Sequence, residues 1–222
     1  MVTGRVNRRF PVWLRGLPAA VAVVGAVMYL APATPGMGQS AEQVLRVEED
    51  WELVLNEPGD RVNAPQFHTI MSPLSDTESV YAQVTWNYRE VPDAAPGGVQ
   101  IQAWSGDQVV QIKDRVSEQF STVAETVLWT QRLQTNGSLL LFRVLNGSST
   151  TWGSFGGSEW NVEGHADIPN LNSYSPGVST GGAAITYGSN RVDSLILKQV
   201  RYYGANGLIS TDSVEKVVFR AK

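Results

Sequence analysis

An all-β chain, folded as an antiparallel sandwich or jelly roll, is what three features of the sequence predict. Apolar residues alternate with polar ones along residues 80–88 and again along 99–104, the period of a half-buried strand. Asn136-Gly137 joins two apolar runs, VLWTQRL and LLLFRVL, as the tight turn of a hairpin does. About eight to ten short runs of this kind succeed one another at spacings of roughly 8 to 15 residues without a long helical pattern, which leaves no room for the crossovers of a parallel sheet.

The first 40 residues stand apart. They hold Arg5, Arg8, Arg9 and Arg15 and no acid, then an apolar run of 16 residues over 16–31, then Gly38-Gln39-Ser40. A basic start, an apolar stretch shorter than the ~20 residues of a spanning helix and a small-x-small site describe a secretory signal peptide cleaved after Ser40. An uncleaved anchor is the alternative, and Arg8-Arg9 adds a twin-arginine reading that the following Phe10-Pro11 does not suit. Residues 41–222 are then expected to form a single β-sandwich domain.

Within it, Trp51 marks the first strand, in a stretch whose Val44, Val47, Trp51 and Leu55 also fit a helix. Residues 56–79 are mostly loop, with Pro58, Pro65 and Pro73 and one strand-like piece at 67–71. In the next strand Val80, Ala82, Val84, Trp86 and Tyr88 share one face, and Tyr81, Gln83, Thr85 and Asn87 the wet one. A Pro-rich loop leads to Val99, Ile101 and Ala103, which alternate with Gln100, Gln102 and Trp104, and Ser105-Gly106-Asp107 turns the chain into VVQIK. The Asn136-Gly137 hairpin follows, with a type I′ turn and positive φ expected at both residues. Residues 146–164 are so rich in Gly and Ser that they read as a large loop outside the core, and 167–182 continue as loop with a short strand. The last strands fall near 183–187, 192–203 and 214–219, with a turn at 204–207.

Without its leader the chain carries 13 basic and 21 acidic side chains, a net of −8. Phosphate binding needs clustered Lys and Arg, so nucleic acid is not an expected partner, and neither is an anionic membrane. There are no cysteines, which rules out a thiol nucleophile, a disulfide scaffold and a cysteine-linked lipid. Export without cysteines fits a secreted or periplasmic bacterial envelope protein better than an animal ectodomain.

The run GSLLLFRVLNG at 137–147, the SSTTWG that follows it, and NRVDSLILKQVR at 190–201 resemble the concanavalin A-like jelly-roll domains of secreted bacterial proteins, over about residues 80–203. The resemblance implies a lectin-like, glucanase or adhesive wall module, and fold alone does not choose among these. Glu159-Trp-Asn-Val-Glu163 looks like the Glu-x-Asp-x-Glu strand of laminarinase-type glucanases with Asn161 in the middle. Glu159 and Glu163, on one strand face, are then the candidate nucleophile and acid/base of a retaining glycoside hydrolase, which needs carboxyls about 5 Å apart.

The aromatics point instead to a non-catalytic module. Sugars stack on exposed Trp and Tyr, and seven tryptophans are present. Trp86 is in phase with the core, while Trp104 is out of phase and Trp152 and Trp160 fall in the Gly-rich segment. Trp104, Trp152 and Trp160, with Asn161 and Asn190 orienting hydroxyls, form the expected binding set for carbohydrate or a cell surface. No cofactor is needed for that. Asp167, Asn170 and Asn172 leave calcium open, short of its six to eight oxygens. His68 and His165 are too far apart to argue a metal pair. A structural envelope protein with a protein partner is the further alternative, marked by exposed strand edges.

Overall fold

The computed structural model describes residues 42–56, 64–93, 95, 97–116, 124–150 and 153–222. The leader expected over 1–40 and the candidate Trp152 lie outside them. In chain order the elements are β1 (Arg46–Leu55), β2 (Gln66–Met71), β3 (Val80–Tyr88), β4 (Gly98–Ser105), β5 (Gln108–Arg115), β6 (Glu125–Thr135), β7 (Gly137–Ser149), β8 (Gly153–Phe155), β9 (Asn161–Ile168), α1 (Pro176–Gly182), β10 (Ala184–Tyr187), β11 (Val192–Gly204), β12 (Gly207–Asp212) and β13 (Lys216–Arg220). The chain is all-β, with two antiparallel sheets packed face to face as in a sandwich. One runs β12-β11-β1-β6-β7-β8, with β13 also on β11 and β9 also on β7. The other runs β10-β2-β3-β4-β5. Among the described residues no helix is long and apolar enough to cross a membrane.

Strand alternation sends one set of side chains from each sheet into a shared core. Val47, Trp51, Leu53 and Leu55 of β1, Val127, Trp129 and Leu133 of β6, and Leu140, Phe142 and Val144 of β7 come from the first sheet. Phe67 and Met71 of β2, the β3 residues Val80, Ala82, Val84 and Trp86, and Val99, Ile101 and Ala103 of β4 meet them. At its centre the cross-strand pair Trp51 and Trp129 stacks at 6.0 Å and 8°. From the opposite sheet Trp86 reaches Trp129 at 5.0 Å and Phe67 reaches it at 6.0 Å.

Beside this aromatic rung lies a polar one. Glu49 and Gln131 face each other across β1 and β6 and are both 0% exposed. Trp51 Nε1 donates to Glu49 Oε2 at 3.0 Å, Gln131 Nε2 to the same oxygen at 2.9 Å, and the Tyr174 hydroxyl to Glu49 Oε1. Tyr174 also bonds the Ser179 hydroxyl of α1 at 2.9 Å, and Thr69 of β2 donates to Gln131 Oε1 at 2.8 Å. The network thus ties both sheets and the 174–179 segment to one buried carboxylate. Burial pushes the Glu49 carboxyl up from its ordinary value, against its hydrogen bonds, which pull it down. Burial and then the Glu49 charge push the Tyr174 phenol well up.

Four expectations are corrected. The central hairpin is where the Asn-Gly dipeptide put it, yet its turn is not type I′: Gly137 has φ 100° and Asn136 has no positive φ. Asn136 pairs with Leu139, so Gly137 takes the first central position, where a II′ turn wants glycine, and Asn136 Oδ1 accepts the Leu139 N–H at 2.9 Å. The Gly-rich segment is structured, holding β8, the buried Trp160 and the start of β9. Its glycines include close approaches: a Cβ on Gly156 would sit 2.9 Å from the Asn146 backbone. Residues 176–182 form a short helix, capped by Ser175 and started by Pro176. β12 is a strand where the sequence predicts none.

β3 shifts register between Trp86 and Tyr88, and Asn87 takes φ 56° at that point. Its amide donates to the Pro65 carbonyl and accepts the Gly97 N–H. A Cβ on Gly97 would collide with the backbone carbonyls of Asn87 and Tyr88. Gly97→Ala is expected to cost about 2 kcal/mol in urea unfolding, and an unchanged midpoint would show that the bend gives way freely.

Candidate functional site

The outer face of the five-stranded sheet gathers the side chains that the sequence placed out of phase with the core. Trp104 of β4 and Tyr81 of β3 are register partners, half-buried, with parallel rings 5.8 Å apart. From Trp104 a directed chain of hydrogen bonds runs along β4. Trp104 Nε1 donates to Gln102 Oε1 at 3.2 Å, Gln102 Nε2 to Gln100 Oε1 at 2.8 Å, and Gln100 Nε2 to Asp114 Oδ1 of β5 at 2.9 Å. On β3, Gln83 Nε2 donates to Thr85 Oγ1 at 3.0 Å. Gln100 and Gln102, fixed this way, each retain one N–H and one lone pair for a further partner.

The face is close to neutral. Among the described residues the register of β2 to β5 puts no Lys or Arg on it. His68 lies on it with its imidazole pushed down by burial, which the Gly182 backbone partly offsets. Burial, and secondarily the Asp107 charge, push the Tyr81 phenol up, so it stays protonated. Lys113 and Arg115, on the opposite parity of β5, turn to the Asn161 side chain and the Glu159 carbonyl.

The outer face of the other sheet contrasts with it, because its polar groups satisfy one another. Arg201 grips Asp50 with two bonds of 2.6 and 2.8 Å, and Arg132 donates to Glu48 at 2.8 and 3.0 Å. Thr130 and Gln199 add bonds to Asp50, Tyr203 adds one to Glu48, and the Arg46 guanidinium sits 3.8 Å above the Tyr203 ring. A face closed by its own ion pairs has few free groups for a ligand; the amide face has many.

At the far end of the neutral face from Trp104, the ends of β3, β4 and β5 border an open pocket of about 370 Å³. Tyr88, Arg89, Val91, Gly98, Asp114 and Val116 are among its walls. Val91 is 77% exposed and Val116 69%.

The expected site residues do not assemble as one set. Trp104 is on the face just described. Trp160 is buried at 4%, packed against Trp86 at 6.3 Å and Phe155 at 5.6 Å, so it is a core residue and not a stacking surface. Asn161 opens β9 in the other sheet, with its oxygen held by Lys113 at 3.0 Å. Asn190 is exposed in the 3-10 turn Ser189–Arg191. Tyr81, Gln83, Gln100, Gln102 and Asp114 were not expected as site residues, although the same parity that freed Trp104 frees Tyr81, Gln100 and Gln102. Tyr88 was expected on the core face and Asn87 on the wet one; the register shift at Asn87 buries Asn87 and turns Tyr88 to the outer side.

The glucanase-like pair also changes. β9 begins at Asn161, which leaves Glu159 in the turn before it, 81% exposed and 3.8 Å from Arg115. The expected pair on one strand face is therefore not formed by β9; Glu163 is exposed on that strand. For calcium, the Asn170 and Asn172 oxygens are already acceptors, from the Asn172 N–H at 3.1 Å and the Val44 N–H at 2.9 Å, while Asp167 is exposed. The second of these bonds latches the chain before β1. Among the described residues no group of three or more His, Asp or Glu side chains is arranged to hold a metal. No protein-family model matches the chain, and no curated protein matches it in sequence.

Proposed function

We propose that the protein is an exported, non-catalytic carbohydrate-binding module of concanavalin A-like jelly-roll type, acting on glycan in a secreted or periplasmic setting. The observation that carries this is the Trp104–Tyr81 pair at the head of a neutral amide ladder on an outer sheet face. Aromatic rings offer a surface for the apolar face of a sugar, and fixed amides offer hydroxyls matched donors and acceptors. The leader and the resemblance of 137–153 and 190–201 to jelly-roll domains support the same reading.

Affinity electrophoresis of the domain through gels holding single soluble polysaccharides is the test. At least one neutral polysaccharide should retard the domain, and Trp104→Ala should weaken that binding tenfold or more while changing stability by less than about 1 kcal/mol. Equal retardation of the variant would overturn the assignment of this face.

A second reading, a structural envelope protein docking a protein partner, is favoured by the edge strands. β5 exposes Val110 and Ile112, and β12 exposes Leu208 and Ile209. Exposed apolar edges invite strand addition. A domain that no glycan retards and that sediments as an assembly would favour it.

A further inference from the structure

We propose that the pocket at the end of β3, β4 and β5 is the terminal subsite of the same glycan site, and that a neutral glycan chain lies along β4 with one chain end seated there. This rests on the carbohydrate reading above and adds a direction, a length and an end to it.

The register supplies the direction. Trp104, Gln102, Gln100 and Gly98 share the outer parity of β4, and Asp114 and Tyr88 flank its far end as the partners of Gln100 and Gly98. The donor-to-acceptor chain from Trp104 ends on Asp114, and Asp114 is also a wall of the pocket. Ladder and pocket therefore meet at one carboxylate. From Trp104 to Gly98 is six residue steps, roughly 20 Å of strand at ~3.3 Å per residue, a track for several sugar rings.

The pocket suits a chain end. Its volume of about 370 Å³ lies within the range of small-ligand cavities. Gly98 lets the β4 and β5 backbones approach closely beside the pocket, since a Cβ there would sit 2.8 Å from the Arg115 carbonyl. Val91, Val116 and the Tyr88 ring give apolar surface for one face of a sugar. Asp114, with one oxygen accepting from Gln100, has acceptor capacity left for hydroxyls. A carboxylated sugar would meet Asp114 and Glu90, whereas the guanidinium of Arg89 is engaged by Asp93 at 3.1 Å and that of Arg115 by the Glu159 carbonyl. The chemistry selects an uncharged glycan.

The test is calorimetric titration of the 41–222 domain with gluco-, xylo- and manno-oligosaccharides of one to six rings, and with their carboxylated counterparts. Two variants leave Trp104 in place: Tyr88→Ala removes a wall, and Val91→Glu puts a charge at the mouth from a position already exposed. For the series that binds, affinity should rise with each ring and level off once the track is filled. Both pocket variants should lose tenfold or more for the longer oligosaccharides, and carboxylated ligands should bind at least tenfold more weakly than neutral ones. If Trp104→Ala abolishes binding while both pocket variants bind as wild type, the terminal subsite is wrong and the face stands. If the pocket variants lose binding and Trp104→Ala does not, the chain does not lie along β4 and the face falls as well. If no oligosaccharide or polysaccharide binds the wild-type domain, both readings fall together.

Discussion

Glu49→Leu is expected to destabilise the protein by about 3 to 5 kcal/mol, whereas Glu49→Gln should be tolerated. Leucine would leave Trp51 Nε1 and Gln131 Nε2 as buried donors that have lost their acceptor, and would take one of two partners from the Tyr174 hydroxyl. Glutamine keeps the shape. Its oxygen can accept from Trp51 and Gln131, and its amide can donate to the Tyr174 oxygen, which still has Ser179 to donate to. The two variants also separate by pH. Burial raises the Glu49 carboxyl above its ordinary value of 4.5 in the folded state, so folding favours the protonated form. The stability this contributes is fully present below the unfolded value and is lost as pH rises through the folded one. Glutamine does not titrate, so Glu49→Gln should gain on the wild type as pH rises from about 4 toward neutrality. Urea unfolding across that span reads both effects; a leucine variant as stable as wild type would show that the network carries no stability.

Trp129→Ala should cost about 3 to 5 kcal/mol, the range for emptying a large aromatic from a core. Trp129 touches Trp51 in its own sheet and Trp86 and Phe67 in the other, so its loss opens a cavity where the two sheets meet. It would also remove the indole that donates to Gln131 at 3.3 Å. For a domain of this length that corresponds to a fall of roughly 6 to 20 °C in Tm. Trp129→Phe should recover much of it. A scanning-calorimetry shift under 3 °C for the alanine variant would mean that the sheets are held chiefly by other contacts.

Much of the fold was legible because it obeys a period of two. The alternation over 80–88 correctly assigned Trp86 to the core and Tyr81 to the outer face, and the Asn-Gly dipeptide located the central hairpin. The turn type was not legible, because Asn-Gly serves two registers and the choice rests on the Asn136 side chain capping the Leu139 N–H. Trp160 was misread because glycine is ambiguous. Around it glycine permits close packing, as at Gly147, where a Cβ would enter the Phe155 ring, and the composition alone looks the same as a loose loop. β12 escaped because it buries no face and so shows no alternation. At the site, parity released Trp104 and its neighbours, while the pocket depends on three strand ends that only the pairing register brings together.

The place of β1 bears on when this chain can fold. It is the first strand described, yet it lies inside its sheet between β6 and β11, and the partners of Asp50 come 80 and 149 residues later. A ribosome or a translocation channel releases it long before either neighbour. Both edges of this central strand stay open until β6 emerges, one stays open until β11 does, and the sheet closes only when the last quarter arrives. Contacts so remote in sequence make for slow, late and cooperative folding, and shortening the chain from its C-terminus would strip β1 of a partner before it touched β3, β4 or β5.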